Sequence, residues 1–235
     1  MMTSAMLAIW SDVTQAQETE YLHWLTREHT AERIGVPGFE AVRVFRADLA
    51  EACRYLILYD LAAPSVLTSP AYLARLNAPT PWSQRIMPTL RNFARGGGWV
   101  RAVRGTGSGA YLLPLRLGRQ AGEAAPVLEA LAAEDRVCAA RQLEVDQKGS
   151  CVPTSEKALR GGDGSFPGLL LIEATEAAAL GRALSRHRSA IAALGADVED
   201  PTLYTAVFSL RKADLEAGLA DPPIEEPHLT AQVQS

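Results

Sequence analysis

The hydrophobic positions of the chain alternate between short extended runs and longer stretches with helical spacing. Residues 7–11 (LAIWS) predict a short apolar strand, and Asp12 and Thr14 are placed to cap the helix after it. Residues 18–34 carry apolar side chains three and four positions apart, which predicts an amphipathic helix ended by Gly35 and by the turn at Pro37 and Gly38. Residues 39–47 (FEAVRVFRA) and 54–61 (RYLILYDL) predict two strands, and the hairpin-length link between them makes them antiparallel neighbours. A broken helical region comes next over 70–76 and 82–93, where Pro79, Pro81 and Pro88 each remove a backbone donor and keep the helices short. Residues 98–103 (GWVRAV) predict a closing strand.

The second half has the same rhythm. Residues 111–117, 137–146, 169–175 and 203–210 predict strands, and 122–133 and 176–194 predict helices. Each half is then ordered β-α-β-β-α-β, the order of the ferredoxin-like split unit. A four-stranded sheet with helices on one face leaves its other face bare, and two such sheets in one chain can cover each other. The expected fold class is therefore α+β: two tandem ferredoxin-like βαββαβ repeats closing an eight-stranded, pseudo-dimeric α/β barrel. The glycine- and serine-rich run GTGSG at 105–109 places the boundary, giving units at 1–105 and 106–212. Residues 213–235 are expected to be an extended tail, with Pro222, Pro223 and Pro227. Residues 149–168 are expected to form a long hairpin loop or flap.

Composition narrows the class of partner. The net charge is −4 and no block of five like charges occurs, which argues against nucleic acid and anionic membranes as partners. The longest apolar runs are of strand length, and the start of the chain lacks a basic n-region, so a cytoplasmic location is expected. Cys53, Cys138 and Cys151 show no CxxC spacing, which argues for a reducing compartment and against a disulfide framework or a structural zinc. The glycine strings at 96–98 and 161–164 lack the context of a phosphate loop.

Candidate chemistry gathers on the first helix. At helical spacing Tyr21, Leu22 and Leu25 form one apolar stripe. His29 falls in its middle, Glu32 and Arg33 bracket it one turn on, and Glu28 lies at its edge beside Trp24. His23, Arg27 and Thr30 occupy the opposite face and are expected to be solvated. Ionisable groups on a buried stripe need mutual pairing or a polar cavity. One reading is a satisfied structural network; the other is a proton-transfer site, since imidazole titrates near neutrality. In the second reading His29 is the base, Glu32 orients it and Arg33 clamps an anion, with Tyr21, Trp24, Leu25, Glu28 and Trp82 around the substrate. Trp99 is expected in the core or a pocket wall, and Tyr72, Asn77 and Arg85 on a solvated helix surface or, in the weaker reading, at the rim of an entrance. His187 is expected to be exposed, and His228 carries little signal.

The segment 24–39, WLTREHTAERIGVPGF, with RYLILYDL and SPAYLARLNAPTPWSQR after it, resembles the Trp-x(3)-Glu-His-x(2)-Glu-Arg…Pro-Gly-Phe signature of the dimeric α/β-barrel superfamily, in particular its EthD-like branch. The resemblance covers about the first 100 residues; the second half is similar only in element order. It implies a fold more firmly than an activity, because the superfamily includes lactone isomerases, cofactor-independent quinol monooxygenases and haem-binding enzymes.

The function expected is therefore a cofactor-independent enzyme acting on a small, aromatic-derived acid, lactone or enol, as an isomerase or a cofactor-free monooxygenase. The alternatives are a small-molecule binding protein and a haem protein with His29 as axial ligand. The expected partner is a small molecule, and the proline-rich tail offers a clasp for a second copy in a homodimer.

Overall fold

The computed structural model describes residues 5–47, 49, 53–119, 122–147, 149 and 152–216. Eight strands close one antiparallel barrel: β1 Ala5–Val13, β2 Phe39–Ala47, β3 Cys53–Leu61, β4 Arg91–Gly105, β5 Tyr111–Leu117, β6 Val137–Val145, β7 Gly168–Ala174 and β8 Tyr204–Arg211. Around the barrel they run β1-β3-β2-β8-β5-β7-β6-β4. The first half thus contributes the order 4-1-3-2 and the second 8-5-7-6, and the halves join where β4 meets β6 and β2 meets β8.

Alternate residues of each strand point into the barrel or out towards a helix layer. Met6, Ala8 and Trp10 of β1 meet Leu56, Leu58, Leu169 and Leu171 inside, while Leu7 and Val13 pack outward. Both faces are buried, which is why β1 and β3 read as nearly continuous apolar runs. At one end the interior carries Glu173, fully buried and ion-paired to Arg43 and Arg141.

Over the first half lie α1 Glu18–Trp24, a π-helical turn Leu25–His29 and α2 Thr30–Ile34, running on as one helix. Helices α3 Pro70–Asn77 and α4 Pro81–Ile86 come after β3. Their prolines start these helices, with Ser69 and Thr80 capping them by accepting from Tyr72 N–H and Ser83 N–H. The second half carries α5 Ala125–Ala132, α6 Ser155–Leu159, α7 Ala177–Ala193 and α8 Lys212–Glu216. No helix among the described residues is long and apolar enough to cross a membrane.

Several expectations are corrected. The helix expected over 82–93 stops at Ile86, passes through a short 3-10 turn and becomes β4 at Arg91, so Phe93 and Arg95 belong to the sheet. Asp12 lies within β1 and holds Arg54 and Asn92 by side-chain hydrogen bonds. Thr14 bonds the Gln17 side chain and makes no side-chain bond to the helix backbone. Trp99 is 43% exposed, with Arg101 over its ring. Thr30 is fully buried, Tyr72 is buried, and His187 is half-buried against Glu134. Cys53 is buried and Cys138 half-buried. Cys151, His228 and residues 217–235 of the expected tail lie outside the described residues.

Residues 152–168 are not an open flap. Thr154 caps α6, Asn77 Oδ1 accepts the Ser155 N–H, and Gly164 exchanges two backbone hydrogen bonds with β4, to Phe93 and from Arg95. The segment lies across the first half although the chain order places it in the second.

Candidate functional site

A narrow cavity of about 30 Å³ lies between the outer face of β1, β3 and β4 and the helix layer of the first half. The sheet supplies Ile9, Ser11, Ile57, Tyr59, Phe93 and Arg95; the long helix supplies Tyr21, Trp24, His29 and Arg33. Tyr72 and Met87 stand opposite, and Glu156 and Arg160 of the 152–168 segment close it.

The π turn sets the geometry of the helix wall. In a regular α-helix, residues five apart sit about 140° apart around the axis and do not meet. The wider turn over Leu25–His29 brings Trp24 and His29 together, with ring centroids 4.2 Å apart and planes at 31°. Trp24 is itself fixed by its indole N–H donating to Ser83 Oγ at 3.1 Å. The turn also changes the helix phase, so the stripe expected from regular spacing is only partly the cavity wall. Tyr21, Trp24, His29 and Arg33 line the cavity. Leu25 is packed in the core, Glu28 accepts from Thr80 Oγ1 at 2.7 Å, and Glu32 sits 3.6 Å from Arg75. Trp82 is buried but does not reach the cavity.

His29 is 5% exposed and its Nδ1 has no hydrogen-bond partner. Burial, and then the positive charges of Arg33 and Arg160, push its pKa well below the usual imidazole value. The ring is therefore held in its neutral form, with Nδ1 unengaged. Tyr59 Oη is also buried without a partner, and burial raises its pKa far above the phenolic range. Tyr21 Oη shares a hydrogen bond of 2.9 Å with Ser11 Oγ.

Three guanidinium groups face this space. Arg33 is ion-paired to Glu156. Arg160 is held by both oxygens of Asp163, at 3.0 and 3.1 Å, and lies 4.1 Å over the Phe93 ring. Arg95 is 7% exposed; its Nη2 donates to Tyr72 Oη at 3.4 Å and its Nε has no partner. Among the described residues no carboxylate pairs with it.

Tyr59, Arg95, Glu156 and Arg160 are cavity residues that the sequence pattern does not nominate, and Tyr72, offered only as a rim residue, lines the cavity. Tyr59 is legible in principle, since it alternates with Ile57 on one face of a strand. Arg95 is hidden because it falls in the gap between the helix expected over 82–93 and the strand expected over 98–103, and Glu156 and Arg160 by their distance along the chain. The helix–sheet interface of the second half is instead packed with Leu128, Leu131, Leu180 and Ile191. A second, more open depression of about 280 Å³ lies at the barrel mouth, between Arg54, Arg116, Tyr204 and the loop carrying Asp197 and Asp200. Its acids and bases are mixed.

No family model matches the chain, and no curated protein matches it in sequence. Solved structures do match in shape. An anthrone oxidase-like protein is 12% identical with a TM-score of 0.56, covering 89% of this chain and 94% of its own. A candidate monooxygenase from Fusobacterium nucleatum is 9% identical with a TM-score of 0.53, covering 90% and 96%. A candidate chlorite dismutase is 11% identical with a TM-score of 0.50, covering 93% and 100%. None of these singles out the EthD-like branch. Identities this low speak for the fold alone, and that fold is the dimeric α/β barrel, here closed within one polypeptide.

Proposed function

We propose that the protein is a cofactor-independent oxygenase acting on a small enol or phenol, with His29 as the base. The observation that carries this reading is the neutral, partnerless imidazole nitrogen, buried and stacked on Trp24 at the cavity wall. His29 takes the substrate's acidic proton, and the resulting carbanion or phenolate is electron-rich enough to reduce dioxygen. A C–O bond forms to give a hydroperoxide, which loses water to leave a carbonyl, so one substrate CH2 and one O2 become C=O and H2O. The reductant is the substrate itself. Tyr21 and Trp24 wall the substrate and Arg33, neutralised by Glu156, shapes the site. Glu28, Glu32, Leu25 and Trp82 support the helix from outside the cavity. The two halves, 1–105 and 106–212, are read as tandem ferredoxin-like units of which the first keeps the site. The neighbours named for monooxygenase and anthrone oxidase-like proteins agree in kind with this reading, whereas the isomerase alternative draws no support from them.

The narrow cavity has room for about two water molecules at ~10–15 Å³ each. Ligand pockets for drug-sized molecules span roughly 300–1,000 Å³. Substrate entry therefore requires the 152–168 segment to lift from β4, breaking its two backbone hydrogen bonds. The alternative reading is a haem protein with His29 as axial ligand: its partnerless Nδ1 is an available ligand atom, and a porphyrin, like the proposed substrate, would need the cavity to widen.

Oxygen uptake with a panel of phenols, hydroquinones and enolisable anthrone-type ketones tests the proposal. Uptake that falls at least 100-fold in His29→Gln supports it. Undiminished turnover in that variant overturns it, as does a ligand that binds and is returned unchanged.

A further inference from the structure

We infer that the ligand of this cavity carries a carboxylate and that Arg95 is the residue that binds it. The inference rests on the proposed site but not on its chemistry. Of the three guanidinium groups lining the cavity, two are answered by acids: Arg33 by Glu156, and Arg160 by Asp163. Arg95 has only the neutral hydroxyl of Tyr72, and its Nε is buried with no acceptor. A charge removed from water costs several kcal/mol unless paired and hydrogen-bonded, so a protein keeps one bare only where something else supplies the counter-charge.

The surroundings define that counter-charge. Arg95 projects from β4 among Phe93, Tyr59 and Tyr72, so the ligand's remainder meets aromatic and apolar walls. A planar guanidinium with a free Nε and a second nitrogen edge matches a carboxylate in the side-on, bidentate manner. Tyr59 Oη, also partnerless, is a further donor on the same wall. A neutral substrate that became anionic only during reaction would leave Arg95 uncompensated in the bound complex. A carboxylate compensates it on binding. It also offsets the field of Arg33 and Arg160 that opposes protonation of His29, so the anchor and the base are coupled.

The experiment compares acetate with acetamide and benzoate with benzamide, in low-chloride buffer, by thermal shift and tryptophan fluorescence. Wild type and His29→Gln are expected to be stabilised by the carboxylates and not by the amides. Arg95→Met, which keeps length but removes charge, should bind the carboxylates at least 10-fold more weakly while melting no lower than wild type without ligand. Arg95→Lys should retain part of the response and guards against a folding defect in the first variant. Equal shifts with acids and amides overturn the inference, and so does a carboxylate response that survives Arg95→Met. If carboxylates bind through Arg95 yet no oxygen is consumed, the anion site stands and the oxygenase reading falls. If neutral phenols turn over equally well in Arg95→Met, the reverse holds.

Discussion

Arg33 and Glu156 form an ion pair in the protein interior although 123 residues separate them in the chain. Each side chain is only 4% exposed. The pair joins the long helix of the first half to a segment between β6 and β7 of the second, so the cavity exists only when both halves are folded together.

Breaking that pair from one side should be costly. Glu156→Gln leaves Arg33 buried without a counter-charge and is expected to destabilise the protein by about 3–5 kcal/mol. Adding Arg33→Met should recover a large part of the loss, because a neutral pair no longer carries the desolvation cost. Urea unfolding of the two variants measures both. A double variant no more stable than Glu156→Gln would show that the pair does not act as a unit.

Acid should destabilise the protein through His29. Its pKa is lowered in the folded state, so below about pH 6.5, the usual unfolded value, the unfolded chain binds a proton that the folded chain refuses. Stability then falls as pH drops from there towards the depressed folded pKa, with a slope of about 1.4 kcal/mol per pH unit from this group. His29→Phe removes the titrating group and should flatten the curve below pH 6.5. An unchanged slope in that variant would place the acid sensitivity elsewhere.

The order of strands and helices is legible in the chain because each half alternates short apolar runs with helical spacing, and local patterning decides that. The strands at 39–47 and 111–117 match the pattern to the residue. The features that local patterning misses are those set by tertiary contact. The π turn has no local signature in LTREH, yet it rotates His29 onto Trp24 and carries Glu32 away from the cavity. Arg95 reaches the cavity through the β1–β4 pairing, and Glu156 and Arg160 through a segment of the other half, contacts that no window of sequence contains.

The glycine run 96–98 is explained by close approach rather than by flexibility, and its members should differ in tolerance. A Cβ at Gly98 would stand 2.0 Å from the carbonyl oxygen of Glu144, a backbone atom of the paired strand that cannot yield without breaking the β4–β6 ladder. A Cβ at Gly97 would meet the Leu67 Cδ1 at 2.2 Å, the end of a side chain that can change rotamer. Gly97→Ala should cost about 1–3 kcal/mol, as overpacking does, and Gly98→Ala clearly more. Chemical denaturation of the two variants gives the ranking, and the opposite order would rule out the steric account.

Thr30 offers a substitution that should improve the protein. Its side chain is fully buried on the helix that forms the cavity wall, and its Oγ1 has no hydrogen-bond partner. A hydroxyl desolvated without compensation costs about 1–3 kcal/mol. Valine has the same branched shape and nearly the same helix propensity, so Thr30→Val removes the penalty without opening a cavity. The variant is expected to gain about 1 kcal/mol and to leave ligand binding unchanged, because Thr30 does not line the cavity. Differential scanning calorimetry reads the gain directly. A loss of stability would mean that an ordered water satisfies the hydroxyl in solution, and the helix packing around it would then be wetter than the apolar neighbourhood implies.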